Sequence, residues 1–434
     1  MISEPDVKLV TRMVQKTASR SVQEVTADIC VVGAGMAGIS AALQASQLGR
    51  KVVLVDALPA LGGQAVNSII GTFCGLFSDD PRYYQFTHGI ADELLRDLEA
   101  AGALYYPPQQ VHKVPLYNEI TLSRWMEKAV RAAGITVILG GIVHKVTSHD
   151  RRITGLDIVT RYGEVHLSAA GFVDATGDAA LTWQAGLPCR EPVGGPVYGS
   201  HTAILEGVVV EHHPTRAELT LRQKEKAAEY GLVRTDGLVF VFPARGTSVL
   251  NMTHVPTPLE PLAASVQAID GKDQVDLVVE FLKKEFPQAY GKSTVQAYGL
   301  PGIRQTRWIV GSKQLTAADV FAGTRFADAI ARTAWPIELH AKSEGYVWQP
   351  FQENHVHYIP LGALLPPGLD NLVAAGRCID ADLDALSSVR VHGPCMATGM
   401  AAAHALDLAG TNSVHDIDIA VLQERLKDNL VRTD

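Results

Sequence analysis

The sequence is poor in cysteine, and the five it has (Cys30, Cys74, Cys189, Cys378 and Cys395) are odd in number and scattered. They make no disulfide framework and contain no CxxC, which excludes dithiol redox chemistry and fits a reduced, cytoplasmic setting. Basic runs are missing as well. With a formal net charge of −8 and no Lys/Arg-rich stretch interleaved with aromatics, nucleic acid is excluded as a main partner. No segment approaches the roughly 18 uninterrupted apolar residues of a membrane span; apolar runs such as 238–242 are strand-length. Residues 1–26 carry charges throughout and lack an apolar stretch of about 7–15 residues, so they read as an N-terminal extension and not as a secretory signal. HExxH, paired Cys/His and P-loop signatures are absent, so neither a metal nor a nucleoside triphosphate is expected.

A chain of 434 residues exceeds what one core organises, so two domains are expected. The informative segment comes early. Residues 28–32 form a short β-branched run and lead directly into Gly33-Ala34-Gly35-Met36-Ala37-Gly38. An Ala-rich helical stretch follows, closed by Gly49, and then a second apolar strand ends on Asp56. In a GxGxxG of this kind the first glycine permits the tight turn, the second lets backbone approach a pyrophosphate, and the third lets helix and strand pack closely. The helix N-terminus offers free N–H groups to the anion. Asp56, 18 residues past the last glycine, stands where an acid accepts hydrogen bonds from a ribose. A bare GxGxxG is common in Gly-rich chains; strand, glycines, helix, strand and acid in order are not.

Two later segments repeat the logic. Ala170-Gly-Phe-Val-Asp174 reads as a strand running into Ala175-Thr176-Gly177-Asp178, and 371–375 as a strand ending at Gly376-Arg377. Ligands gather outside the carboxyl ends of strands in open α/β sheets. Expected helices cover 91–100, 122–133, 273–285, 317–331 and 394–405, with a strand over 237–243.

The order of GxGxxG, Leu61-Gly62-Gly63, Asp174-Ala-Thr-Gly-Asp178 and Ala375-Gly-Arg377 resembles the FAD-dependent oxidoreductases of the glutathione-reductase structural class. The nearest likeness has fumarate-reductase-like architecture, and Gly302-Ile-Arg304-Gln-Thr-Arg307, Trp335-Pro-Ile337 and Tyr358-Ile-Pro360 add to it. The resemblance runs from about residue 28 to 408. It implies FAD as cofactor, lined by Gly33, Ala34, Gly35, Gly38, Asp56, Gly62, Gly63, Gly177, Asp178, Gly376 and Arg377. Ala37, Ala57, Gln64, Val143, Ala175, Thr176 and Val389 complete the expected cofactor-binding set. Cys74, the sulfur nearest the Gly62-Gly63 turn, is the candidate for a covalent flavin bond. The expected fold is α/β: a Rossmann-type FAD-binding domain over 27–187 and 350–434, with an inserted α+β substrate domain over 188–349.

A second GxGxxG is missing, which argues against a nicotinamide domain, and so is the Trp-x-Trp-x-Ile-Pro pattern of flavin-dependent halogenases. Electrons are expected to enter from a small-molecule substrate and leave to oxygen, a quinone or a carrier protein. A homodimer is the candidate assembly. Removing hydride from a C–OH or C–N carbon needs a base for the heteroatom proton and a cation for an anionic substrate, roles suited to His and Arg. Candidates are Arg304 (with Arg307 three on), His340, His357 (with His355 on the same face by strand alternation), Arg390 and His392, with His201 behind them. An Arg at a domain junction also serves as an ion-pair donor, and a lone His as hydrogen-bonded scaffolding. His357, Arg390 and His392 are expected nearest the reactive face. The reading is a dehydrogenase or oxidase of a small, carboxylated metabolite. Its rivals are a C=C reductase, a flavin monooxygenase and a non-catalytic flavin-binding sensor.

Overall fold

The computed structural model describes residues 11–13, 22–107 and 113–432; most of the expected N-terminal extension lies outside them. The first strand, Gln23–Val32, begins earlier than 28 and is flanked on both sides in parallel. On one side stand Val52–Asp56 and then Thr136–Leu139. On the other stands the long strand Gly163–Asp174, whose last residues pair with Leu372–Ala374. Its first half instead takes Arg152–Thr160 antiparallel, which in turn takes Ile142–His149. Near-continuous apolar runs such as Val52–Val55 suit strands buried on both faces. The register sets Val32 level with Val55 and with Asp174, and Asp174 level with Ala374. Turns that were far apart in sequence therefore leave the sheet at one edge.

The helix Met36–Gln47 leaves that edge directly. Gly38 sits so close to the turn that a Cβ there would lie 1.7 Å from the Gly33 carbonyl oxygen. The helix His392–Ala409 crosses it as tightly, since a Cβ on Gly399 would lie 2.1 Å from the Ala37 carbonyl oxygen. Ala41, Ala42, Ala45, Ala402 and Ala403 are all buried in the same cluster. Small side chains let the two backbones approach.

Between the long strand and Leu372–Ala374 the chain builds a second sheet, antiparallel, in the order Leu238–Phe242, Thr247–Asn251, Ala203–Glu206, Thr294–Tyr298. Alternate residues divide between its faces. Leu205 and Leu250 pack with Leu219, Val278 and Phe281 from the helices Arg216–Tyr230 and Pro261–Glu285, while Ile204 and Val249 pack with Ile69 and Leu116. An ion pair from Arg245 to Glu119 (3.1 Å) ties this sheet to the helix Glu119–Ala132.

Two expected helices differ most in extent. The one read at 273–285 starts at Pro261, with proline in its first turn. The one read at 317–331 stops at Ala322, where Gly323 turns with φ +63°, and Ala329–Thr333 is a buried strand paired with His357–Pro360. No helix among the described residues is long and apolar enough to cross a membrane.

Asp174 clasps the turn that follows its strand. Fully buried, it accepts Thr176 N–H (3.2 Å) and Oγ1–H (2.7 Å) on one oxygen and Thr182 N–H (2.8 Å) and Oγ1–H (2.7 Å) on the other. Asp174→Asn turns one acceptor into a donor facing two donors, at an expected cost of about 3 kcal/mol. The check is a lower urea midpoint with unchanged m-value; a wild-type midpoint counts against the clasp.

Candidate functional site

A cavity of about 990 Å³ opens along the shared strand edge and runs under the second sheet. Its sheet end is walled by Gly33, Gly35, Met36, Ala37, Asp56, Ala57, Gly63, Gln64, Ala175, Thr176, Gly177, Asp178, Gly376 and Arg377. The remaining expected cofactor residues stand behind that wall. Ala34 is buried, and its N–H donates to Asp56. Gly38 makes the close helix seat, and Gly62 holds a positive-φ turn with its N–H on the Ala34 carbonyl (2.9 Å). Val143 packs into the core on the opposite side of the sheet, and Val389 is buried within the helix Leu383–Val389. Neither of these two reaches the cavity, because each faces a hydrophobic core.

Does this end fit an adenine dinucleotide? Helix Met36–Gln47 has no side-chain cap, so its first N–H groups face the cavity. A Cβ on Gly35 would meet nothing nearer than the Gly63 Cα at 3.9 Å, so the space before it is open for a ligand. Arg377 holds Asp178 through Nη2 (2.7 Å) while its buried Nη1 has no partner. Burial pushes the Asp56 carboxyl up despite hydrogen bonds from Ala34 and Leu58. The residues fit the group: a glycine gap, an uncapped helix start, a spare guanidinium donor and an acid at the strand end. Among the described residues, no group of three or more His, Cys, Asp or Glu side chains is arranged to hold a metal ion.

The other end is walled by Arg304, Arg390 and His392, with Cys74, Trp335, Glu338, Tyr346, Trp348 and Phe240. Arg304 donates to the Tyr198 carbonyl (2.6 Å) and to Ser200 Oγ (3.0 Å). Arg390 donates through Nη2 to the Glu338 carbonyl (3.0 Å), and its buried Nε has no partner. Burial pulls both guanidiniums below their ordinary range. His392 begins the helix His392–Ala409 with Nδ1 unpartnered; burial pushes it down to about 4, so it is neutral near pH 7.

His340 and His357 do not reach the cavity. His357 is enclosed, with Nε2 on Ser388 Oγ (2.9 Å) and Nδ1 on His355 Nε2 (3.2 Å). Ser388 Oγ already donates to the Trp335 carbonyl, so the imidazole donates to Ser388 and accepts from His355. That is a closed structural chain, and burial pushes His357 down to about 3. His340 is fully buried behind Glu338, which the sequence reading passed over. The signal was there: Glu338 and His340 are two apart in an extended stretch and so share a face.

Gly35→Ala tests the fit of the dinucleotide end. Its backbone (φ −76°, ψ −172°) suits any residue and the Cβ has room. The variant is expected to fold with near wild-type stability as flavin-free protein and to be purified without bound FAD. A variant that retains stoichiometric FAD counts against this wall as the pyrophosphate site.

The sequence model of the FAD dependent oxidoreductase family matches residues 28–426. Over 122 residues (26% of this chain, 34% of the relative) the chain is 32% identical to a ferredoxin–NADP reductase of Orientia tsutsugamushi (strain Ikeda). Over 123 residues (28% of this chain, 20% of the relative) it is 29% identical to the mitochondrial dihydrolipoyl dehydrogenase of Cricetulus griseus. The chain thus spans about a third or less of these curated relatives. Solved structures similar to it include a geranylgeranyl bacteriochlorophyll reductase-like protein from Thermoplasma acidophilum (TM-score 0.47, 14% identity, 94% of this chain and 86% of that one). Another is a p-nitrophenol 4-monooxygenase from Pseudomonas putida DLL-E4 (TM-score 0.48, 11% identity, 94% and 82%). With the family model spanning nearly its whole length, the chain belongs to the FAD dependent oxidoreductase family and is an FAD-dependent enzyme.

Proposed function

We propose that this oxidoreductase takes hydride from a C–OH or C–N carbon of a small carboxylated metabolite, with residues 188–349 forming most of the substrate side. FAD, when bound, supplies the two-electron acceptor. The observation that carries the reading is the pair Arg304 and Arg390 at the cavity wall, with the Arg390 Nε buried and unpartnered. The groups that Arg304 and Arg390 do hold are a hydroxyl and backbone carbonyls. Positive charge withdrawn from water without a full counter-charge favours an incoming anion, and a guanidinium suits a carboxylate's two oxygens. Trp335, Trp348 and Phe240 supply apolar wall for the substrate body and exclude water beside the reacting carbon.

The purified protein is expected to be yellow and to release FAD on denaturation. Anaerobic mixing with lactate, malate, alanine and glutamate should bleach the flavin with at least one of them. Arg390→Met should raise the apparent KM of that substrate roughly 10–100-fold. Bleaching by neutral alcohols or amines alone, with Arg390→Met unchanged, would sink the carboxylate reading.

NADH and NADPH are expected to bleach the flavin slowly, because the chain carries a single dinucleotide fingerprint. Rapid stoichiometric bleaching by either would reveal a nicotinamide site.

A further inference from the structure

Behind the cationic wall three titratable groups stand in line. Glu338 Oε1 lies 3.0 Å from His340 Nε2, His340 Nδ1 lies 2.8 Å from His254 Nε2, and His254 Nδ1 lies 2.8 Å from the Ser343 carbonyl oxygen. A carbonyl only accepts, so His254 Nδ1 carries a proton for Ser343. Each of the other two links needs one proton as well. Three links thus hold three protons, whereas a carboxylate with two neutral imidazoles supplies two. The closed chain carries one spare proton and is neutral overall.

Its rings are held in place, with Tyr346 stacked on His340 (4.9 Å) and Tyr198 stacked on His254 (5.7 Å). Both imidazoles are fully buried. Glu338 is the member that lines the cavity, and its second oxygen accepts Trp335 Nε1–H at 3.2 Å.

We propose that Glu338 is the catalytic residue that exchanges a proton with the substrate heteroatom, and that His340 and His254 are positioning residues holding the proton-loaded chain behind it. The inference rests on the reading of a C–OH or C–N substrate. In oxidation the substrate O–H or N–H bond breaks as an O–H bond forms on Glu338. The C–H electron pair leaves as hydride, the two electrons that FAD takes up, and C=O or C=N remains. Burial and the charges of Arg304 and Arg234 pull both imidazoles down, His254 to about 3.

The loaded chain is the donor form. It must release its proton to water before it can take one from a substrate, so oxidation speeds up as pH rises and the reverse reduction as pH falls. The groups facing Glu338 are Arg304, Arg390, Cys74 and Tyr346, with the Arg234–Asp236 pair beside the imidazoles. Burial pushes the Cys74 thiol up to about 12 and the Tyr346 hydroxyl upward, and the guanidiniums stay charged. None of these changes charge near neutrality.

Glu338→Gln is the decisive variant, because a carboxamide can donate to His340 and accept from Trp335, closing the chain with no exchangeable proton. The E338Q holoenzyme is expected to keep its FAD and its Tm. Its flavin reduction by whichever hydroxy or amino acid bleaches the wild type should fall roughly 10²–10⁴-fold and lose its pH dependence. Infrared difference spectra across a pH titration should show a protonated-carboxyl C=O band in wild type, shifted in D2O and absent from E338Q. A wild-type rate and pH profile in E338Q, or a band that survives the substitution, overturns the proposal. If none of the four acids bleaches wild type, the substrate reading fails, and the infrared band alone decides the proton chain.

Discussion

Everything at the cavity depends on one close contact, the seat of Gly38 against the Gly33 carbonyl, where no Cβ fits. It fixes the helix Met36–Gln47 at the mouth of its strand with its first turn uncapped. Parallel pairing then brings Asp56, Asp174 and Ala374 to the same edge. Gly399 repeats the device one layer out, so a second helix start, at His392, meets the same cavity. The bare N-terminus of the helix Met36–Gln47 and the Arg377 guanidinium make that edge an anion site before any side chain of the second sheet is considered.

Legibility follows the range of the interactions. The fingerprint was readable because strand, glycines, helix and acid lie within about thirty residues and their task is local. The strand ends at 175–178 and 376–377 were readable because the rule for open sheets assigns them a common edge. The 317–331 helix was not, since its composition is helical while Gly323 and pairing with His357–Pro360 decide otherwise. Val143 failed for a similar reason: alternation does not say which side of the sheet meets the cavity.

The cationic wall shows the limit most clearly. Alternation put His355 and His357 together, and their rings do meet. It gave no direction for the face they share, which is set by Ser388 in the helix that packs over it. The same rule applied to Glu338 and His340 marks a pair of which one member reaches the cavity. Sequence periodicity finds such pairs, and tertiary packing chooses between them.

The charge at that wall would join the proposed binding to the proposed proton exchange. Arg304 and Arg390 are pulled from water with dipoles for partners, while the Glu338 carboxyl is committed to Trp335 and His340. A wall of that kind holds an unpaid electrostatic cost until an anion arrives. The guanidiniums also act on the buried imidazoles and keep them neutral. A carboxylate docked between Arg304 and Arg390 would cancel part of that field. On the proposed reading, the guanidiniums that would hold an anion also act on the imidazoles behind them, through charge alone and without any moving part.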